Sequence, residues 1–145
     1  MKTLFFLFAF FTSLAHAAEP APIASDPTWL VEARAGIKSG QYEQAVKLLM
    51  ASNQTSSAEW NNLLGYSLRK KSPPDLIAAE KFYEAALKID PRHKGALEYY
   101  GELKLMNKDL AGAELLLSRL DKICFFGCEE YSDLKEAIKK FKAAK

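Results

Sequence analysis

Residues Glu59 to Pro91, EWNNLLGYSLRKKSPPDLIAAEKFYEAALKIDP, read as two amphipathic helices on either side of a Pro73-Pro74 break. Leu64, Gly65 and Leu68 mark the inner face of the first helix. Ala79, Phe82, Tyr83, Ala86 and Ile89 follow at three- and four-residue steps on the second. Gly65 and Ala79 are small enough for the two backbones to approach closely, while Tyr83 fills the wider part of the seam. Asp90-Pro91 closes the unit, because proline disfavours helical geometry in the residue before it.

The unit recurs. Ala45, Ala79 and Ala113 lie 34 residues apart, and so do Tyr42, Leu76 and Leu110. Leu48, Phe82 and Leu116 keep the same period, as do Leu49, Tyr83 and Leu117. Gly65 and Gly101 are 36 apart, and the two extra residues fall in the Pro73-Pro74 turn. Leu64-Gly65, Ala79, Tyr83, Ala86 and Pro91 at this period resemble the signature of the tetratricopeptide repeat, a 34-residue helix-turn-helix. The resemblance spans three repeats, about 26–58, 59–91 and 92–123. The first is degraded, with Ala33 where glycine is usual and no closing proline, as suits a terminal unit. It implies an all-α fold: a right-handed α-solenoid of three helix pairs plus a C-terminal capping helix.

That capping helix is expected over about 129–143, completing a domain over 26–145. Its Tyr131, Leu134, Ala137, Ile138 and Phe141 form one apolar stripe that would cover the third repeat, and its other face is lysine-rich. Asp26-Pro27 suggests a helix start, with the aspartate as N-cap and proline at the first helical position. Ser56-Ser57-Ala58-Glu59 suggests a capping box opening the next repeat. Further helices are expected over about 42–51, 93–106 and 110–122, and no segment reads as a strand.

Residues 1–17 stand apart. Lys2 precedes an apolar run from Leu4 to Leu14 with five phenylalanines, and Ala15-His16-Ala17 is an A-x-A cleavage site. The run is shorter than the roughly 20 residues a membrane span requires. The pattern is that of a signal peptide, followed by a flexible leader over 18–25, so the chain reads as a periplasmic or secreted protein without stable membrane insertion after cleavage. Loss of Lys2 leaves 19 basic against 18 acidic side chains, a near-neutral balance that argues against nucleic acid as partner.

Catalysis has little to rest on. After residue 17 the only histidine is His93, read as a solvated helix-start residue, and no metal or cofactor set stands out. Glu98 and Glu102 are an i,i+4 pair of the kind that usually marks a solvated face. Cys124 and Cys128, the only cysteines, flank Phe125-Phe126-Gly127 at a corner between two helices. A disulfide there would staple the capping helix in place and contribute about 2 kcal/mol by loop closure. Phe125 and Phe126 are expected to bury against the core. Thiol exchange and copper handling through Cys124/Cys128 remain the alternatives, although C-x-x-x-C is not the thioredoxin spacing.

The family resemblance implies a non-enzymatic scaffold that holds a peptide or protein segment in a groove lined by the first helix of each pair. Carried over by repeat position, the groove residues are Arg34 and Lys38, then Asn62, Tyr66, Arg69 and Lys70, then Glu98 and Glu102. Leu30, Ile37, Leu105 and Met106 accompany them. The groove would be basic at one end and acidic at the other, suiting an extended peptide or a partner's helix.

Overall fold

A computed structural model describes residues 25–144, so the signal peptide read over 1–17 and all but the last residue of the leader lie outside the described residues. Seven helices and no strand make up the described chain: α1 (Thr28–Lys38), α2 (Tyr42–Ser52), α3 (Ala58–Lys70), α4 (Leu76–Ile89), α5 (Lys94–Met106), α6 (Leu110–Ile123) and α7 (Glu129–Ala143). Each of the first six packs on its neighbour, α1 on α2, α3 on α4 and α5 on α6, and the pairs stack into a helical solenoid. None of the described helices is long and apolar enough to cross a membrane.

The turns explain the spacing. Gly40 and Lys108 each take a left-handed conformation (φ 71° and 63°) in the three-residue turns of the first and third pairs. The second pair instead uses five residues, 71–75, around Pro73-Pro74, and this is where the two extra residues reside. Asp75 and Asp109 cap the helices that follow, their carboxylates accepting from Ala78 N–H at 3.0 Å and Gly112 N–H at 2.8 Å.

Close approach within the second pair is set by Gly65. A Cβ there would lie 3.0 Å from the Tyr83 ring and 3.2 Å from the Ala79 carbonyl oxygen. Tyr83 is fully buried in that seam, with Ala79 and Ala86 beside it. Gly101 of α5 plays the same part toward α7, because a Cβ would run into the buried Leu134 side chain. The glycine lets α7 pack extensively on both α5 and α6, whereas α3 meets α1 and α5 meets α3 only narrowly. Trp60 joins the first two pairs: its indole N–H donates to the Leu49 carbonyl at 2.7 Å, and its ring meets Phe82 edge-on.

Several local expectations are corrected. The α1 N-cap is Pro27, one residue later than expected, and the Asp26 carboxylate pairs with Arg34 at 3.1 Å instead of capping. At α3 the cap is Ser57, whose hydroxyl accepts from Trp60 N–H, so Glu59 is released from a capping box and turns to other partners. Ile89 is exposed. Cys124 and Cys128 sit at disulfide distance with Cα atoms 5.6 Å apart, and Gly127 takes φ 83° in the corner between α6 and α7. Phe125 and Phe126, however, do not bury: they are 83% and 104% exposed, because the corner points its tip outward.

Candidate functional site

The first helices α1, α3 and α5 run side by side, with α7 beyond α5. A half-exposed aromatic run leads onto this face from Tyr42, at the start of α2. The Tyr66 ring lies 6.2 Å from Tyr42 and 4.6 Å from Tyr99, centroid to centroid. Arg69 lies beneath, 8% exposed, with its guanidinium 5.3 Å from the Tyr66 ring centre and 5.7 Å from that of Tyr99. Its Nη2 donates to Glu102 Oε2 at 2.7 Å. Arg69 is therefore part of the groove floor, and Glu102 is its counter-ion.

Next to this run is a cavity of about 390 Å³. Arg34 comes from α1, Glu59, Asn62 and Leu63 from α3, and Gly95, Glu98 and Tyr99 from α5. His93 stands at the start of α5, and Glu129, Glu130 and Asp133 come from the first turns of α7. One wall is a hydrogen-bonded triad of Arg34, Glu59 and His93. Glu59 accepts from Arg34 Nη2 at 2.8 Å and meets His93 Nε2 at 3.1 Å. His93 in turn caps α5, its Nδ1 accepting from Ala96 N–H at 3.1 Å. The hydrogen bond from His93, then Arg34, holds the Glu59 carboxyl at about 2. His93 is thus not a solvated residue: it is a half-buried cap that ties α5 to α3.

The opposite wall has no such compensation. Glu98 is 7% exposed and forms no hydrogen bond or ion pair with another described residue. Burial, then the charges of Glu102, Asp133 and Glu130, pushes its carboxyl up to about 8. Asn62 is 3% exposed, and its Oδ1 has no hydrogen-bond partner. The solvated Glu98/Glu102 face is therefore corrected, since Glu98 is buried and Glu102 engaged.

Of the residues expected in the groove, Asn62, Glu98 and Arg34 meet at the cavity, while Tyr66, Arg69 and Glu102 form the adjoining aromatic floor. Lys38 and Lys70 are exposed and line neither. Leu30 and Leu105 belong to the core, Ile37 packs against it, and Met106 is exposed. At the expected basic end Arg34 and Arg69 are both bound to carboxylates, which leaves Lys38 and Lys70 as its exposed cations. Sequence reasoning missed Glu59, His93, Tyr99, Glu129, Glu130 and Asp133. Glu130 and Asp133 precede Leu134 by four residues and one, so they flank the stripe that docks on α5; that register was their only signal.

The fold class that emerges is an all-α helical solenoid with a capping helix. No protein-family model matches the chain, and no curated protein does. Among solved structures it is similar to the type III secretion chaperone SycD of Yersinia enterocolitica, determined in complex with a peptide of the translocator YopD. The two share 19% identity at a TM-score of 0.64, over 80% of this chain and 88% of that one. The likeness is one of fold.

Proposed function

We propose that the protein is a non-enzymatic adaptor that binds an extended peptide or a segment of another protein along the face of α1, α3 and α5. The carrying observation is the half-exposed run of Tyr42, Tyr66 and Tyr99 leading into a cavity whose buried Asn62 amide is unpartnered. Aromatic rings supply contact area at low entropic cost, and an unsatisfied amide in the wall offers a hydrogen bond to a ligand. That the similar solenoid SycD was solved with a peptide supports the same reading here. Arg34, Lys38, Asn62, Tyr66, Arg69, Lys70, Glu98 and Glu102 would then act at unequal depth: Asn62, Tyr66 and Glu98 in contact, Arg69 and Glu102 as support, Lys38 and Lys70 at the margin.

The signal-like residues 1–17 and the Cys124/Cys128 pair at disulfide distance support a periplasmic or secreted location. Neither the structure nor the comparisons supports thiol exchange or copper handling. A photo-crosslinking amino acid placed at Tyr66, Tyr99 or, on the opposite side, exposed Leu115 tests the proposal in cells. Adducts with a second polypeptide are expected at 66 and 99 only. Adducts confined to 115 would refute it.

A further inference from the structure

The cavity beside α7 has a chemistry that restricts what the groove can hold. Four carboxyl groups line it without an ion pair of their own: Glu98 in the wall, and Glu129, Glu130 and Asp133 at the start of α7. The two bases at its rim, Arg34 and His93, are both bound to Glu59. An anionic ligand group would be repelled here, and an apolar one would seal off acids and an amide with nothing to satisfy them. No group of three or more of the described carboxylates, histidines or cysteines could hold a metal ion. The acids instead surround a space large enough for a long side chain, and the unpartnered Asn62 amide marks its buried wall.

Resting on the peptide-binding reading above, we propose that this cavity is a subsite for one basic side chain of the bound peptide, a lysine ammonium or an arginine guanidinium. The stem of that side chain lies along Tyr99 and Leu63, and its head reaches Glu98, with Asp133 and Glu130 closing over it. The arriving cation brings Glu98 the direct ion pair it lacks and ionises it, so binding releases a proton below about pH 8. Charged groups facing Glu98 are Arg69 from α3, Glu102 on its own helix, and Glu130 and Asp133 from α7. α7 is therefore part of the site as well as a cap.

The test is selection from a phage-displayed dodecapeptide library on the purified protein at pH 8, followed by calorimetry. The tightest peptide is compared with its copy carrying norleucine at the basic position, on the wild type and on Glu98→Gln, Asp133→Asn and Tyr66→Ala. Asp133 is exposed, so its substitution leaves the core untouched. Selected peptides are expected to share a lysine or arginine. Norleucine, Glu98→Gln and Asp133→Asn should each weaken binding, roughly ten- to hundredfold for the first two, while Tyr66→Ala weakens both peptides alike. Peptides that bind through Tyr66 but lack a basic residue, or ignore Glu98→Gln and Asp133→Asn, would overturn the subsite and leave the groove reading standing. Failure to select any peptide sensitive to Tyr66→Ala would overturn both.

Discussion

Glu98 and Glu59 are two acids on facing helices with opposite electrostatics, and each leaves a pH signature. Folding raises the Glu98 carboxyl from 4.5 to about 8, so between those values the folded state holds a proton that the unfolded chain has lost. Stability from this group therefore falls as pH rises through that window. Glu98→Gln is expected to match wild type near pH 5 and to exceed it by roughly 1–2 kcal/mol near pH 8.5, several degrees in Tm. Glu59 runs the other way, from 4.5 down to about 2. Its contribution is complete above 4.5 and disappears as pH falls through 2, so Glu59→Gln should lose about 1–2 kcal/mol at pH 7 and nothing at pH 2. Thermal melts across pH check both, and flat differences would contradict the assignments. Neither state was legible from sequence. An i,i+4 glutamate pair looks the same whether or not another helix covers one member, and the helix that covers Glu98 lies some 30 residues downstream.

At the scale of elements, two glycines decide how closely helices meet, and only one of the two partners could be named in advance. Gly65 against Tyr83 follows from the period, whereas Gly101 receives Leu134 from outside the repeats. Gly101→Ala is expected to cost about 1–3 kcal/mol by forcing Leu134 out, and Leu134→Ala about 2–5 kcal/mol. Amide exchange should rise across α7 in both. Replacing Phe125 and Phe126 together by serine should change stability by less than about 0.5 kcal/mol, since both are largely exposed. A large loss there would show that the tip folds inward. The apolar character of that corner was visible in the sequence, but its direction was set by the outward turn at Gly127.

For the molecule as a whole, the 34-residue period and its small-residue positions carried the architecture, because a solenoid's contacts are local and repeat with its sequence. Charge placement along the groove was not carried in the same way. Arg34 and Arg69 look like free bases in a one-dimensional reading, yet each reaches a carboxylate on the neighbouring repeat, Glu59 and Glu102. That pairing across repeats gives the groove a neutral aromatic floor beside an acidic cavity, with Lys38 and Lys70 exposed at its margin. The most direct measurement of the central claim is amide chemical-shift mapping of the labelled protein titrated with a selected dodecapeptide. Perturbations are expected at Asn62, Tyr66, Gly95, Glu98, Tyr99 and Asp133, with Ile77 and Leu115 on the other side unmoved. Perturbations gathered instead around Ile77 and Leu115, or around Phe125 and Phe126, would contradict it.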